Sequence, residues 1–527
     1  MKVLFIYPNI DCPPGINHGL AAMSGVLKQR GHDVGLIHVC DNLWELPTTE
    51  EVLDRIEAFQ PGIVGFSVMS QQYDWCRAVS RALRERRPDL PQAIGGVHCT
   101  MVPDDVTSDA EFDWVFVGEC DQSFADLVDR LAAGGDRFSV PGSRIPARFS
   151  PNGAPIVNHV GPFPELATAA PTDYELFDID HVVRTKSGWM GLITSRGCPY
   201  KCTYCFNKEI VDLYKDEGGA TSMRDYLRAY PVDRMIEEIA QLKRDHPHIS
   251  TLIIDDDLFT LNKRYVHEFT AAYKRSGIDL PYVVNAHVQC FDDAMARALK
   301  ESGCIITKFG LESGSQRIRK EVLWRYMTNT QIETMTRTAH RHGLHTSAFI
   351  MFGLPHESKE EIYETLRLCA KVKMGRFRWA IFYPFPGTAG YTIAKNADVI
   401  DWDKWAGMGN YFDASCLKFG SEHDLFLEKL GVLCPWYVNA LTDWPCARTY
   451  VDLVHEVEAM DRKTFRARRT ELIQRDRELS EELMRLDIPH YSIRYAHVMG
   501  VRSDYVKWER RLEQSTREEQ AVVYTLD

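Results

Sequence analysis

Three cysteines stand close together near the middle of the chain, at Cys198, Cys202 and Cys205. The short apolar run before them, which begins at Gly191, is typical of a strand that ends in a loop. Thiolates are the usual ligands of iron–sulfur clusters, and intervals of three and two residues allow one loop to wrap around a cubane. Three thiolates leave one of the four irons open. The motif therefore predicts a [4Fe–4S] cluster with one free coordination site at a strand end.

Other uses of this cysteine pattern fit the sequence less well. A structural zinc site usually needs four ligands in two pairs, and no partner pair lies near the motif. A thioredoxin-type site needs two cysteines separated by two residues, which would leave Cys198 without a role. We therefore favour iron–sulfur ligation over zinc binding or thiol redox chemistry.

The composition limits the classes of protein to which this chain can belong. Its 527 residues suffice for two or three domains, and 45% hydrophobic with 26% charged residues is typical of a globular protein. A net charge of −12 argues against a nucleic-acid partner. The sequence predicts no signal peptide, and no apolar run long enough to span a membrane. We expect a cytoplasmic protein whose 14 cysteines are thiols or metal ligands rather than disulfides.

Short apolar runs alternate with amphipathic stretches over residues 1–135. The predicted strands are residues 3–7, 34–39, 63–68, 93–96 and 114–118. The predicted helices are residues 19–30, 50–59, 73–87 and 123–131. This alternation indicates a parallel sheet covered on both faces, with ligands at the carboxyl ends of its strands. We predict an α/β domain of the doubly wound, flavodoxin-like kind.

The loops at those carboxyl ends carry glycine, hydroxyl and other polar residues. The residues in question are Ser67, Met69, Ser70, Gln71, Gly95, Gly96, His98, Gly118 and Glu119. Paired glycines let a ligand approach the backbone closely, although each loop alone also fits an ordinary turn or a capping serine. Taken together, and in residues 93–100 and 115–119 above all, these loops resemble the cobalamin-binding domain that precedes many radical enzymes.

The resemblance implies a bound cobalamin whose corrin lies across the strand ends. The nucleotide tail would run beside Ser67, Ser70, Gly95 and Gly96, and the other strand-end residues would complete the site. Many cobalamin enzymes supply a histidine below the cobalt from an Asp-x-His-x-x-Gly motif, which this sequence lacks. We therefore expect cobalamin without a lower histidine ligand. A flavodoxin-like domain without a cofactor is the alternative.

Residues 136–187 are rich in proline and glycine and are interpreted as a linker. From residue 188 to residue 390 the chain resembles the radical S-adenosylmethionine superfamily, with the cysteine motif near its start. Further strands are predicted at residues 251–254, 282–285, 305–309, 347–351 and 379–382. With the strand before the cysteines they make six βα units, which indicates a partial (β/α)6 barrel. Its chemistry is expected at the carboxyl ends of the strands.

Motifs at those strand ends match positions that bind S-adenosylmethionine in the superfamily. The resemblance implies that Tyr204 shields the cluster. It assigns Asp255, Asp256 and Asp257 to the amino group of S-adenosylmethionine, and a helix cap is the alternative. The remaining assignments are Asn285 for the carboxylate or the substrate, Arg325 for the carboxylate, Glu312 and Ser313 for the ribose or amino-acid portion, and Phe352 for the adenine.

Helical periodicity dominates residues 391–527, with predicted helices at residues 450–460 and 464–486. Aromatic residues precede them, at Trp402, Trp405, Tyr411, Phe412, Trp436, Tyr437 and Trp444. They fit either a lid over the substrate pocket or the core of a small helical domain. Three further cysteines, Cys416, Cys434 and Cys446, are widely spaced, so a second cluster is not favoured.

Four classes of function fit this two-domain pattern to different degrees. The first is a methyltransferase that moves a methyl group from S-adenosylmethionine, via methylcobalamin, to an unactivated carbon of a small-molecule substrate. The second is a cobalamin-dependent oxidative cyclase or rearrangement enzyme. The third is a radical enzyme with an empty N-terminal domain, and the fourth is a cobalamin sensor, against which the cysteine motif argues. The resemblance favours methyl transfer, with flavodoxin or ferredoxin as the one-electron donor.

Overall fold

The computed structural model describes residues 1–407 and 414–493, and they divide into two compact units. Residues 1–257 and 385–389 form the first unit, and the rest of the described chain forms the second. The first unit therefore contains both the predicted cobalamin-binding domain and the cysteine loop.

A large sheet organises the N-terminal part of the first unit. Its strands are β1 (Lys2–Pro8), β2 (Asp33–Val39), β3 (Ile63–Ser67), β4 (Gln92–Gly95), β5 (Trp114–Phe116), β6 (Ser143–Ile145) and β7 (Ile156–Val157). They lie in the order β2-β1-β3-β4-β5-β6-β7, and β1 to β5 are parallel. This confirms the predicted doubly wound domain, whose topological switch point lies between β1 and β3.

The last two strands of this sheet lie within the predicted linker. β6 pairs antiparallel with β5, and β7 pairs antiparallel with β6. The sequence analysis did not predict either strand. Strands of three and two residues are too short to show the alternation on which a strand prediction depends.

Helices cover the parallel strands and continue to the end of the first unit. They are α1 (His18–Gln29), α2 (Thr49–Phe59), α3 (Tyr73–Arg86), α4 (Val97–Met101), α5 (Pro103–Asp109), α6 (Asp121–Ala133), α7 (Ile179–Thr185), α8 (Phe206–Asp216), α9 (Met223–Tyr226) and α10 (Val232–Asp245). Helix α2 shows how local sequence sets a helix start. Thr48 and Glu51 form a reciprocal capping box there, which satisfies backbone N–H groups that have no partner within the helix.

The first unit ends with the strands around the cysteine loop. These are β8 (Trp189–Leu192), β9 (Ser195–Arg196), β10 (Arg228–Ala229) and β11 (Thr251–Ile254). β8 and β11 are parallel, whereas β9 and β10 form a short antiparallel pair. The cysteine loop therefore begins directly after β9.

The second unit contains the remaining strands of the predicted barrel. They are β12 (Tyr282–Ala286), β13 (Cys304–Glu312), β14 (His345–Phe352) and β15 (Arg376–Ile381), and successive strands pair in parallel. The intervening helices are α11 (Lys263–Ser276), α12 (Asp293–Glu301), α13 (Asn329–Arg341) and α14 (Lys359–Lys371). With β8 and β11 these strands make the predicted set of six, so the partial-barrel fold is confirmed.

Helices follow β15 to the end of the described chain. They are α15 (Ala389–Asn396), α16 (Trp402–Ala406), α17 (Ser421–Asn439), α18 (Ala447–Glu458) and α19 (Arg462–Arg485). Trp436 and Tyr437 of α17 are fully buried, and Trp444 is buried as well, which favours a core over a lid for these three aromatics. Tyr411 and Phe412 lie outside the described residues.

Within the described residues, no helix has the length and apolar character needed to cross a membrane.

Candidate active site

The three predicted cluster ligands occupy one loop between β9 and α8. Cys202 is buried, and Cys198 and Cys205 are partly exposed. The Cys205 N–H donates to the Cys202 carbonyl oxygen at 3.1 Å, and Cys205 is the N-cap residue of α8. Because a helix N-terminus carries partial positive charge, it favours a thiolate at this position. Tyr204 is half-buried in the same loop.

Burial controls the protonation of these thiols. Burial raises the pKa of Cys198 and that of Cys205 to about 12, so the free thiols stay protonated at neutral pH. A bound cationic metal deprotonates a coordinating thiol despite such burial. The described residues contain no group of three ligands poised around a single metal ion. That finding is compatible with a cubane, since its cysteines bind different irons and need not converge on one point.

Gly197 allows the loop to turn just before Cys198. Its φ angle is +101°, and a Cβ at this position would collide with the backbone carbonyl oxygen of Tyr226. A side chain is therefore excluded both by backbone conformation and by space. The cysteine loop packs directly against the segment that enters β10.

Asp256 supports the entrance to the cysteine loop. Its carboxylate accepts hydrogen bonds from the N–H and the hydroxyl of Thr194, at 2.5 and 2.6 Å, and from both corresponding groups of Ser195, at 3.1 and 2.6 Å. It is only 1% exposed, and burial raises its pKa to about 6. The sequence assigned this residue to a ligand amino group. Its carboxylate oxygens already accept hydrogen bonds inside the protein, so Asp256 supports the loop, and its role at the amino group stays a prediction.

The two neighbouring aspartates are exposed and have different surroundings. Asp257 accepts from the N–H of Gly197 at 3.2 Å and from Nδ2 of Asn207 at 3.1 Å. Asp255 lines a cavity of about 70 Å³ together with His18 and Lys186. Of the predicted triad, Asp255 therefore faces open space, whereas Asp256 and Asp257 organise the cysteine loop.

Glu119 and Asp121 join the loop after β5 to the cysteine loop. Oε2 of Glu119 lies 2.7 Å from Nη1 of Arg196, and Asp121 binds both terminal nitrogens of Arg196 at 3.0 Å. Glu119 also forms an ion pair with Arg228. Its predicted role at cobalamin stays a prediction, but these partners show that Glu119 anchors the residue two positions before Cys198.

Gly118 has a related function. Its φ angle is +79°, and a Cβ would lie 2.6 Å from the hydroxyl of Tyr214 on α8. That hydroxyl accepts a hydrogen bond from the Glu119 N–H at 2.8 Å. The loop after β5 thus contacts α8 as well as the cysteine loop, and only glycine permits this close approach.

The ends of β3 and β4 bring several predicted cobalamin contacts together. The Asn17 side chain donates from Nδ2 to Ser67 Oγ at 3.1 Å, which places a residue that the sequence analysis missed beside a predicted one. Gly96 has a φ angle of +108°, and a Cβ there would lie 2.6 Å from the carbonyl oxygen of Val68. Gly95 lies directly opposite Ser67 in the sheet. These residues form a narrow region of small side chains, as a ligand tail inserted between strands would need.

The remaining predicted contacts surround this region. His98 is buried, and its Nδ1 lies 3.0 Å from Ser70 Oγ. Burial lowers the pKa of His98 to about 4, so the ring is neutral at pH 7. Met69 is exposed despite its apolar side chain, and Gln71 is half-buried. An apolar ligand at the strand ends would cover Met69.

The second unit contains the other predicted contacts of S-adenosylmethionine. Glu312 has a φ angle of +63°, a strained conformation for a residue other than glycine. Nη2 of Arg325 donates to the Gly310 carbonyl oxygen at 2.6 Å. A Cβ on Gly310 would meet both the Glu312 carboxylate and the Arg325 guanidinium, so these two side chains lie side by side. Such a strained acidic residue beside a cation is typical of a ligand site.

Two predicted contacts are less accessible than the sequence analysis expected. Phe352 is completely buried, and its assignment to the adenine stays a prediction. Ser313 is also buried, and its hydroxyl accepts from the Ser315 N–H at 3.2 Å. Asn285 remains half-buried near the end of β12. A strand motif identifies which residues lie near a strand end but not which of them face the ligand.

Arg319 organises the turn that carries Ser313 and Arg325, and the sequence analysis missed it. This fully buried arginine donates to the carbonyl oxygens of Ser313 and Met327 and to Oδ1 of Asn329. It lies in a π-helical turn, Ile318–Val322, a feature frequent at functional sites. Arg319 stands among other charged residues in the sequence, at positions 317 to 321, so nothing there signalled its burial.

Two protein-family models match this chain, and several known proteins are similar to it. The B12 binding domain model matches residues 13–128, and the Radical SAM superfamily model matches residues 192–369. An uncharacterized methyltransferase of Pyrococcus horikoshii is 28% identical over 424 residues, which cover 77% of this chain and 86% of the relative. The anaerobic magnesium-protoporphyrin IX monomethyl ester cyclase of Rubrivivax gelatinosus is 23% identical over 424 residues, which cover 77% and 72%.

A solved structure supports the fold. The radical S-adenosylmethionine methyltransferase TsrM of Kitasatospora setae superimposes with a TM-score of 0.59 at 17% identity, covering 75% of each chain. The chain thus carries a B12 binding domain followed by a Radical SAM superfamily domain, the two domains of cobalamin-binding radical S-adenosylmethionine enzymes. The cofactors of this class are a [4Fe–4S] cluster, S-adenosylmethionine and cobalamin.

Proposed function

We propose that this enzyme transfers a methyl group from S-adenosylmethionine, by way of cobalamin, to an unactivated carbon of a small molecule. The observation that carries the proposal is the ion pair between Glu119 and Arg196. It joins the loop after β5 of the cobalamin-binding domain to the loop with the cluster cysteines. Methyl transfer by this route needs both cofactors close to one substrate, and a shared compact unit favours that.

The chain's own residues would divide the work as follows. Cys198, Cys202 and Cys205 hold the cluster, and Asp256 keeps their loop in shape through Thr194 and Ser195. When bound, the cluster supplies the electron that cleaves S-adenosylmethionine, and cobalamin supplies a cobalt that carries a methyl group. Small side chains at the ends of β3 and β4 admit the cobalamin tail.

Charged groups in the second unit would orient S-adenosylmethionine. The guanidinium of Arg325 matches a carboxylate, and the carboxylate of Glu312 matches a hydroxyl or amino group. Asp255 lines a cavity and is the member of the aspartate triad that we propose for the amino group. Such positioning matters because a misplacement of about 1 Å can reduce a rate on the order of 10²-fold.

An acidic protein with this site suits a small-molecule substrate, since a net charge of −12 disfavours nucleic acid. We expect a one-electron donor, flavodoxin or ferredoxin, to reduce the cluster before it cleaves S-adenosylmethionine. We expect these reactions in the cytoplasm, where the cysteines stay reduced.

The second candidate is oxidative cyclisation or rearrangement without methyl transfer. The similarity to the Rubrivivax gelatinosus cyclase, over 77% of this chain, favours it. Both candidates use the same cluster and the same cobalamin domain, so only the fate of the methyl group separates them.

Isotope labelling tests the proposal. Anaerobic turnover with methyl-deuterated S-adenosylmethionine should give a product about three mass units heavier than that from unlabelled cofactor, as three deuterium atoms replace three hydrogens. S-adenosylhomocysteine and 5′-deoxyadenosine should both accumulate. Replacing Cys198, Cys202 and Cys205 together by alanine should abolish 5′-deoxyadenosine. An unlabelled product without S-adenosylhomocysteine would reject methyl transfer and select the cyclase class.

A further inference from the structure

Asn207 lies directly behind the cluster loop and has no assigned role. It is the second residue of α8 and is only 3% exposed. Its Nδ2 lies 3.4 Å from Cys205 Sγ and 3.1 Å from Asp257 Oδ1. An amide nitrogen therefore faces the sulfur of a predicted cluster ligand.

The orientation of this amide follows from its other partners. Oδ1 of Asn207 accepts a hydrogen bond from the hydroxyl of Tyr226. An ionised aspartate only accepts hydrogen bonds, so Asp257 must face the NH₂ group of the amide. A flipped amide would bring its oxygen against the Asp257 carboxylate. The neighbours thus fix the nitrogen toward Cys205 Sγ.

The same neighbours hold the amide rigidly. Tyr226 is buried, and its ring lies 5.1 Å from that of Phe163. Asp257 is held by the N–H of Gly197 at 3.2 Å. Each partner of Asn207 has a further contact of its own, which restrains the amide beside Cys205.

We propose that Asn207 raises the reduction potential of the cluster. The cluster gains one electron and thus one negative charge, and a hydrogen bond to a ligating sulfur stabilises the more negative state. A donor protein supplies the electron, and no proton is transferred. Asn207 is a positioning residue in this scheme, since it touches a ligand rather than the substrate. The inference rests on the cluster assignment in the proposed function, but not on methyl transfer.

The test is a redox titration of the reconstituted full-length enzyme, followed by electron paramagnetic resonance without S-adenosylmethionine or substrate. Asn207→Ala should make reduction about tenfold less favourable, which corresponds to about 59 mV for a one-electron couple. Asn207→Asp, which replaces the donor by a negative group of the same shape, should shift the potential further in the same direction. Lys208→Arg is the matched control, since it keeps the charge of a neighbouring side chain that pairs with Glu209 and Asp212 rather than with sulfur, and it should leave the potential unchanged.

An unchanged potential in Asn207→Ala at full iron content would overturn the proposal. If that variant loses iron, Asn207→Leu decides, because it fills a similar volume but has no hydrogen-bond donor for Cys205 Sγ. A negative shift supports the proposal, and an unchanged potential overturns it. Because potential and iron content need no turnover, a failure of the methyl-transfer proposal would leave this result readable.

Discussion

Two strand-end segments of this enzyme are held by side chains of opposite charge. In the first unit, the carboxylate of Asp256 accepts the N–H groups of Thr194 and Ser195 before the cysteine loop. In the second unit, the guanidinium of Arg319 donates to carbonyl oxygens of the turn after β13. Both residues are buried. Both bind backbone N–H or carbonyl groups that lie outside the regular hydrogen bonding of a helix or sheet.

The difference shows that the direction of the unpaired backbone groups selects the supporting side chain. A loop whose N–H groups point inward needs an acceptor, and a turn whose carbonyls point inward needs a donor. The two supports also respond differently to pH. Burial raises the pKa of Asp256 to about 6, within reach of ordinary conditions. Burial lowers the pKa of Arg319 only to about 10, so this residue stays charged at neutral pH.

The largest expected effect comes from Arg319→Met, which keeps the apolar stem but removes the donors. Hydrogen bonds to charged groups contribute about 1.5–3 kcal/mol each and do not add fully, so we expect a loss of about 4 kcal/mol in unfolding free energy. Arg317→Met is the control, because Arg317 is largely exposed and its ion pair with Glu361 should contribute no more than about 1 kcal/mol. Urea denaturation measures both. Equal losses of unfolding free energy in the two variants would contradict the role of Arg319 as the support of this turn.

The acidic support predicts a pH dependence. The pKa of Asp256 is raised from 3.8 to about 6 in the folded state, so the folded protein holds this proton more tightly than the unfolded chain. Proton binding at Asp256 therefore contributes about 3 kcal/mol to the free energy of unfolding. This contribution is complete below about pH 4 and is lost as the pH rises through about 6. The unfolding free energy of the Asp256→Asn variant should not fall in this way as the pH rises. Unfolding free energies of both proteins at several pH values between 4 and 7 test it, and parallel curves would contradict it.

Two glycines offer the finest comparison. Gly197→Ala meets a backbone carbonyl at a positive φ angle, so we expect a loss of about 2 kcal/mol and a lower iron content. Gly310→Ala meets only the ends of the Glu312 and Arg325 side chains, which can move, so stability should change by less than about 1 kcal/mol. Its effect should appear as weaker binding of S-adenosylmethionine in equilibrium dialysis. Unchanged binding in Gly310→Ala would exclude Glu312 and Arg325 from that site.

Strong local patterns predicted the fold well. The parallel strands of the N-terminal domain and those of the barrel appear within a few residues of their predicted bounds, because buried strands and amphipathic helices have clear periods. The short strands β6 and β7 and the kinked helix α17 were missed. α17 carries Pro435 and apolar residues on all sides, so it shows no helical stripe in the sequence.

The sequence predicted which strand ends form the candidate site but not which side chains there contact one another. The cysteine motif is local, so Cys198, Cys202 and Cys205 could be named from spacing alone. The roles of Asp255, Asp256 and Asp257 could not be separated, because adjacent residues differ only in the direction of their side chains. The same limit applies to Phe352, which the sequence places at a strand end without showing which way its side chain faces.

The amino-acid sequence by itself determined the class of enzyme, the order of its domains and the cysteines predicted to hold its cluster. Each of these depends on residues that lie close together in the chain. Only the tertiary structure decided which charged groups support the site. Glu119 meets Arg196 across 77 positions, and Asp256 meets Thr194 across 62. Periodicity specifies the buried face of an element but not its partner, and the pairing of charges is determined only when the elements pack.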